Sequence, residues 1–558
     1  MFVERQSIGL MDGAHIGNNL ISILEACATL YPAKVALRWV PKEHLDTWDG
    51  VRRLDHVGIT YRELSEKVSR MAKGLKDNGL VQGDRVMIFL RAGLELYLAM
   101  FSIVRIGAIA VFVDPWATKE QIDSCAMTTK PKAMIIDVEA YHVLCGLPYI
   151  DAIPLKIVAG VQRRGREIAL ADLDASQGAA VEAVEGNAAA LITFTTGSTA
   201  KPKGVIRTHR HLAAQHRALT EVLPLRQDDI ELTTFPIFLL NSLASGVTTI
   251  IPAISPTAPD EKDASVLANQ IASCGVTTCT FSPSFLVQLA DHIKKNGVVL
   301  PTLARVVTGG APVTKRMVRT FRTSVPSAAI IVLYGSTEAE PVAHVNDNEY
   351  LAHDSNREGL LVGYINKDLQ YKFIKKHKGA VELGAGGWRE WEVPEYDIGE
   401  LIVCGPHVCG EYCNDIQATK MNKIQGLDGK VWHRTGDLGF VDDKNRLWIV
   451  GRVHNVIERK HVTLYSYRPE MLLGELEFVR QAAFIGLKDN EFGEKACAVI
   501  SLTDGYSPED RKTFVGEIQR TLADHNIPID DVRIVTSIPM DPRHRSKVDY
   551  IKLKEMLK

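Results

Sequence analysis

Hydrophobic positions between residues 60 and 137 alternate between a helical period and continuous apolar runs. Thr60 and Glu63 have the spacing of a helix capping box, and apolar positions then recur every three or four residues up to Gly79, which predicts one amphipathic helix. The runs RVMIFL (85–90) and KAMIID (132–137) are typical of buried strands, and residues 94–113 predict a helix followed by a strand. Alternation of this kind predicts parallel sheets covered by helices.

The pattern changes twice in the last third of the chain. Residues 377–399 are rich in Gly and interrupted by Pro, which predicts a long loop before the strand ELIVCG (400–405). After the strand RLWIVG, the composition changes again at residues 451–455. The residues beyond carry three further strand patterns and one amphipathic helix, with its apolar face formed by Phe514, Val515, Ile518 and Leu522.

About 100 residues suffice for an independent small domain. We therefore predict an α/β fold in which residues 1–450 form a large N-terminal domain of parallel-rich sheets covered by helices. Residues 451–455 are predicted to be a hinge, and residues 456–558 a small, mobile C-terminal α+β domain that acts as a lid.

Composition narrows the functional classes. A chain of 558 residues with 46% hydrophobic and 24% charged residues has the composition of a globular protein rather than a disordered one. The net charge of −2 predicts no nucleic-acid partner. The apolar window 94–115 contains Glu95 and Arg105, so we expect no integral membrane segment. Nine scattered Cys without a paired framework predict reduced thiols and a cytoplasmic location.

The most informative stretch is ALITFTTGSTAKPKGVIRTH, residues 190–209. An apolar strand runs into a loop that is dense in hydroxyls and Gly and contains two lysines, which are the groups needed to hold a polyphosphate. The spacing of a P-loop NTPase is absent. The candidate phosphate-binding residues are Thr195, Thr196, Gly197, Ser198, Thr199 and Lys203.

Three later segments complete the set of candidate motifs. RVVTGGAPV (305–313) and IVLYGSTEAEP (331–341) each predict a strand that ends in a Gly-rich turn, the usual place for a ligand in an α/β sheet. WHRTGDLGFVDDKNRLWIVGR (432–452) places a carboxylate in a turn, and IPMDPRHRSKVDY (538–550) brings basic residues near the C-terminus.

In this order, the motifs resemble those of the adenylate-forming superfamily of acyl-CoA synthetases, luciferases and peptide-synthetase adenylation domains. One departure is Ala200, where the family usually has Gly. The resemblance implies the adenylate-forming fold and ATP as a substrate. It also implies these nucleotide contacts: Gly310, Ala311 and Pro312 around the adenine, Tyr334 stacked on it, Gly335 and Ser336 in the same motif, Thr337 and Glu338 facing the phosphates, Asp437 at the ribose hydroxyls, and Arg452 as a second nucleotide contact at the hinge.

The same resemblance implies that Glu338 holds Mg²⁺ and that Lys203, Glu338 and the lid residue Lys547 are catalytic. Small-molecule partners are then expected: ATP, a carboxylic acid and CoA. The oligomeric state stays open, a homodimer included.

The acceptor of the activated acyl group has more than one interpretation. We expect a medium- or long-chain fatty acyl-CoA ligase, in which an acyl-AMP forms with release of pyrophosphate and CoA then takes the acyl group. However, residues 455–472 lack the Gly that such ligases usually show, and Leu239 replaces a common His. TFPIFLLNSLASGVTTIIP and PMDPRHRSK resemble the β-lactone synthetases of olefin biosynthesis, in which the hydroxyl of a β-hydroxy fatty acid displaces AMP without CoA. A nucleotide-binding protein that has lost catalysis is the third alternative.

Overall fold

The structure is a computed structural model that describes residues 18–114, 116–160, 165, 167–195, 201–254, 261–353, 359–460, 462–503, 505–506, 510–541 and 547–558. Its α-helices are α1 (Ile21–Leu30), α2 (Lys42–Asp46), α3 (Tyr61–Asp77), α4 (Leu94–Arg105), α5 (Lys119–Thr129), α6 (Val138–Leu144), α7 (Pro148–Asp151), α8 (His209–Val222), α9 (Pro236–Ala244), α10 (Glu261–Cys274), α11 (Pro283–Asn296), α12 (Lys315–Ser324), α13 (Asp347–Ala352), α14 (Ile416–Asn422), α15 (Tyr467–Leu473), α16 (Arg511–Asp524) and α17 (Tyr550–Met556). Short 3-10 turns lie at Leu170–Leu173, Gly387–Glu390 and Val453–Asn455.

The strands alternate with these helices along most of the chain. They are β1 (Val35–Trp39), β2 (Val57–Thr60), β3 (Arg85–Phe89), β4 (Ile109–Phe112), β5 (Ala133–Asp137), β6 (Leu155–Ala159), β7 (Ile168–Ala169), β8 (Ala189–Thr195), β9 (Lys203–Thr208), β10 (Ile230–Thr233), β11 (Thr248–Ile250), β12 (Thr278–Phe281), β13 (Arg305–Gly309), β14 (Ala329–Ser336), β15 (Ala339–Asn346), β16 (Leu360–Ile365), β17 (Gln370–Ile374), β18 (Gly399–Cys404), β19 (Lys423–Gln425), β20 (Val431–Val441), β21 (Leu447–Arg452), β22 (Ile457–Glu458), β23 (Thr463–Leu464), β24 (Val479–Asp489), β25 (Gly493–Leu502) and β26 (Asp531–Val535).

The first large sheet has seven strands in the order β7-β6-β5-β3-β4-β8-β9. Its neighbours are parallel except for β8 and β9, which form an antiparallel pair with Thr195 opposite Lys203. Helix α3 begins with the expected capping box between Thr60 and Glu63, and its apolar face is buried. The alternation of helices and strands in this part of the chain is confirmed, and β8 and β9 are the strands on either side of the candidate phosphate loop.

The second large sheet has 14 strands and contains both parallel and antiparallel pairs. Strands β1, β11, β10, β12, β13 and β14 pair in parallel with one another in this order, and β2 pairs antiparallel with β1 at the edge of the sheet. From β14 onward the pairs β14–β15, β15–β16, β16–β21, β20–β21, β18–β20 and β17–β18 are antiparallel. The parallel ends of β13 and β14 and the segment 435–437 of β20 therefore lie in one continuous sheet. The prediction that this segment forms a turn is wrong, because Asp437 pairs with Arg452 within a continuous strand.

The residues after the 3-10 turn Val453–Asn455 have their own sheet and core. Strands β24, β25 and β26 form a three-stranded sheet, as the three strand patterns predicted. Phe514, Ile518 and Leu522 of α16 are buried against it in a cluster made only of residues beyond 456. The domain boundaries at 450 and 456 and the mobility of this part stay predictions. Among the described residues, no helix is long and apolar enough to cross a bilayer.

Candidate active site

The segment Tyr334–Pro341 forms the tip of a β-hairpin. Strand β14 ends at Ser336 and β15 begins at Ala339, so Thr337 and Glu338 form the connection. The pairing is irregular between Tyr334 and Ser336. A Cβ on Gly335 would lie 3.0 Å from the carbonyl oxygen of Ala339, so the close approach of the two strands favours Gly there. The hairpin holds Thr337 and Glu338 at the end of the parallel part of the sheet.

Glu338 lies in a buried cluster of donors and cations. The Tyr412 hydroxyl donates a hydrogen bond to Glu338 Oε1 at 2.8 Å. Lys203 and Lys423 lie on the Tyr412 ring, with their Nζ atoms 5.1 Å and 5.3 Å from its centroid. Burial alone would raise the pKa of Glu338, but His433, Lys423, Tyr412 and Lys203 together lower it to about 2. Glu338 is therefore held as a carboxylate.

Lys203 connects the phosphate loop to this cluster. It is the first residue of β9, and burial lowers the pKa of its ammonium group, an effect that the charge of Glu338 opposes. Thr195 is the last residue of β8 and lies opposite Lys203. The predicted loop residues Thr196, Gly197, Ser198 and Thr199 lie outside the described residues, as does Ala200.

Tyr334, Asp437 and Arg452 meet on the other side of the hairpin. The Tyr334 hydroxyl donates to Asp437 Oδ2 at 2.7 Å, and Arg452 Nε lies 2.9 Å from Asp437 Oδ1. Asp437 and Arg452 are directly opposite each other on β20 and β21. Asp437 chiefly raises the pKa of Arg452, and Arg452 also responds to the charge of Glu338. The structure thus brings four charged residues separated by long stretches of sequence to one region.

The remaining predicted residues occupy two places. Gly310, Ala311 and Pro312 follow the last residue of β13, next to β14, and Gly310 has a φ of +81°, which favours Gly. Lys547 lies in the C-terminal part, is exposed, and accepts a backbone hydrogen bond from Asp541 at 2.7 Å. Its position over the phosphates stays a prediction.

The sequence analysis missed Tyr412 and Lys423. Both are buried, and Lys423 donates to the carbonyl of Cys409. Burial lowers the pKa of Lys423 to about 8. Tyr412 reaches the site because it forms a bridge with Val205 of β9, a contact across more than 200 residues that no local pattern indicates.

A largely apolar cavity that opens to solvent lies between α1, α4, α8 and α9. Its polar lining groups are Gln215, His216 and Asn241. On α9, Leu240 lines this cavity, while Leu239 is packed in the core.

Residues 24–413 match the family of AMP-binding enzymes. The chain belongs to this family. It is 30% identical to the olefin β-lactone synthetase of Stenotrophomonas maltophilia, a match that covers 96% of this chain and 97% of that protein. It is 27% identical to a 4-coumarate–CoA ligase of Oryza sativa, over 82% of this chain and 81% of the other.

Solved structures of similar fold extend the comparison over almost the whole chain. The amide bond synthetase McbA of Marinactinospora thermotolerans superposes with a TM-score of 0.77 at 20% identity, covering 97% of this chain and 100% of McbA. ATP-bound MatB of Rhodopseudomonas palustris gives a TM-score of 0.75 at 20% identity, covering 97% and 99%. The predicted fold of an adenylate-forming enzyme is confirmed, and this AMP-binding enzyme activates an acyl group as its adenylate.

The side chains around Glu338 fit a magnesium ion that arrives with a nucleotide. Among the residues that the structure describes, no group of three or more His, Cys, Asp or Glu could hold a metal ion on its own. One buried carboxylate suits Mg²⁺, because this ion binds one or two carboxylates, takes phosphate oxygens and keeps water ligands. Tyr412 occupies Oε1 of Glu338, and the neighbouring Lys203 suits phosphate.

Proposed function

We propose that this enzyme converts a long-chain β-hydroxy carboxylic acid to a β-lactone through an acyl-AMP, without CoA. The observation that carries the proposal is the 30% identity to an olefin β-lactone synthetase over nearly the full length of both chains. Relatives that are CoA ligases match at lower identity and over less of the chain. This comparison favours the alternative that the sequence analysis placed second.

The first half-reaction needs charge neutralisation and positioning, because a carboxylate must approach a triphosphate. Lys203 and Glu338 are proposed to face the phosphates, and Asp437 to accept hydrogen bonds from the ribose hydroxyls. Mg²⁺, when bound with the triphosphate, would neutralise charge on its oxygens. Lys547 is proposed to reach the developing charge between carboxylate and α-phosphate when the C-terminal part, residues 456–558, closes.

The second half-reaction breaks the bond between the acyl carbon and the AMP oxygen. The oxygen of the β-hydroxyl forms a new bond to the acyl carbon, its proton passes to solvent water, and AMP departs with the electron pair of the broken bond. The apolar cavity between α1, α4, α8 and α9 supports a long alkyl substrate, because an alkyl chain gains free energy when it leaves water.

The test is an incubation of enzyme, ATP, Mg²⁺ and 3-hydroxytetradecanoic acid, with and without CoA. We expect equal AMP release in both mixtures and a β-lactone detected by mass spectrometry. AMP release that requires CoA, together with an acyl-CoA product, would instead support the fatty acyl-CoA ligase. No AMP in either mixture would refute catalysis on this substrate class.

A further inference from the structure

Two buried amide side chains line the apolar cavity and have hydrogen-bonding atoms left over. Gln215 and Asn241 are 2% and 3% exposed. Asn241 Oδ1 lies 2.7 Å from His216 Nδ1. Among the described residues, Gln215 Oε1 and Asn241 Nδ2 have no hydrogen-bond partner. An unpaired buried polar atom costs free energy, so a ligand that supplies the missing partner is favoured.

Glu340 does not line the cavity itself but contacts a residue that does. Gln215 Nε2 donates to Glu340 Oε2 at 3.3 Å, so the carboxylate is in contact with a side chain that lines the cavity. Glu340 also follows Glu338 by two residues on the same hairpin. Arg207, whose charge acts on Glu340, donates to the carbonyl of Thr337 at 3.0 Å. Glu340 as a residue keeps part of its surface exposed.

We propose that a hydroxyl group of the acyl substrate donates its one hydrogen bond to the Glu340 carboxylate, which the Gln215 amide holds in place, and that this contact selects a hydroxylated acid over an unhydroxylated acid of the same length. The proposal rests on the proposed nucleotide site at Glu338 and on the alkyl chain entering the cavity. Glu340 and Gln215 are then specificity-determining residues.

The order of groups along the substrate matches the order of groups in the protein. The acid's carboxylate must lie at the phosphates near Glu338, and its alkyl chain in the cavity beyond Gln215. A hydroxyl two carbons from the carboxylate falls between these regions, where the Glu340 carboxylate accepts its hydrogen bond. An unsubstituted chain would leave the Glu340 carboxylate facing methylene groups, which is unfavourable for a desolvated charge. A site of this kind rejects the analogue that lacks the hydroxyl.

The experiment measures ATP–pyrophosphate exchange with 3-hydroxytetradecanoic acid and with tetradecanoic acid. Exchange reports adenylation alone, so it does not depend on whether a lactone or a thioester forms later. The variants are Glu340→Leu, Glu340→Gln, which keeps an acceptor oxygen, and Gln215→Leu. The matched control is Glu221→Leu, which removes a carboxylate from the exposed end of the same helix α8, where it pairs with Lys367.

We expect the wild-type enzyme to prefer the hydroxy acid in kcat/KM by roughly 10- to 100-fold. Glu340→Leu should abolish that preference by lowering kcat/KM for the hydroxy acid only, Glu340→Gln should keep part of it, and Glu221→Leu should keep all of it. A wild-type enzyme without preference, or equal losses for both acids in Glu340→Leu, would overturn the proposal. If Glu340→Leu does not fold, Gln215→Leu and Glu340→Gln carry the same test. The variants could lose the preference while the wild-type enzyme forms no lactone. That result would refute the proposed function but would still support this inference.

Discussion

Replacing Tyr412 by Phe tests whether the buried cluster around Glu338 prepares a carboxylate for magnesium and phosphate. The substitution removes one hydroxyl and keeps the ring on which Lys203 and Lys423 lie. That hydroxyl donates to Glu338 Oε1 at 2.8 Å, and Tyr412 is 3% exposed. A hydrogen bond to a charged group is worth about 1.5–3 kcal/mol, which corresponds to roughly 10- to 150-fold in rate or affinity. Part of this free energy now holds the Glu338 carboxylate in one orientation.

The assay is ATP–pyrophosphate exchange measured over a range of Mg²⁺ concentrations. We expect Tyr412→Phe to need more Mg²⁺ for half-maximal exchange and to exchange at least about 10-fold more slowly at low Mg²⁺. Tyr364→Phe is the matched control, because Tyr364 donates to Glu349 at 2.7 Å on the surface and is 41% exposed. An unchanged Mg²⁺ dependence and exchange rate in Tyr412→Phe would refute the reasoning.

Three further changes have defined outcomes. Asp437→Asn should raise KM for ATP by roughly 10- to 100-fold, because it weakens an acceptor that Tyr334 and Arg452 now hold in place; a KM equal to that of the wild type would contradict the ribose assignment. Burial raises the pKa of Glu231 from 4.5 to about 8, so the folded state binds its proton more tightly and stability falls as pH rises between these values. Between pH 5 and pH 9 the melting temperature of Glu231→Gln should therefore fall less than that of the wild type. The difference in unfolding free energy should reach up to about 4 kcal/mol. Melting temperatures that fall equally with pH in both proteins would contradict this. Arg316→Ala should make the C-terminal part more sensitive to limited proteolysis, because Arg316 donates to the carbonyls of Gly474, Leu476 and Val479. Arg322→Ala, a substitution on the same helix, should leave the sensitivity unchanged.

The local elements of the fold were accessible from sequence. The helix with a capping box at Thr60, the buried strand at Arg85–Phe89 and the strands beyond residue 456 were predicted by short-range periodicity, and the structure has them. The antiparallel half of the second large sheet was not predicted. The pairing of β16 with β21 joins residues far apart in the chain, and an apolar strand pattern does not state its partner.

The candidate site divides in the same way. Residues in contiguous motifs, such as Glu338 and Asp437, were selected because the motifs resemble those of a known family. Tyr412, Lys423 and Glu340 act through contacts that only the folded chain creates: Tyr412 with Glu338, Lys423 with Cys409 and Glu340 with Gln215. Burying a Lys or Glu costs free energy unless the charge is paired, so burial singles out such residues where their local sequence does not.

The most direct measurement follows labelled oxygen from the acid into AMP. A β-hydroxy fatty acid with ¹⁸O in both carboxylate positions is incubated with enzyme, ATP and Mg²⁺ in the absence of CoA. The ¹⁸O content of AMP and of the lactone is then measured by mass spectrometry. If the carboxylate attacks the α-phosphate and the hydroxyl later attacks the acyl carbon, AMP carries one ¹⁸O and the lactone keeps the other. AMP without label would show that no acyl-AMP lies on the route to product.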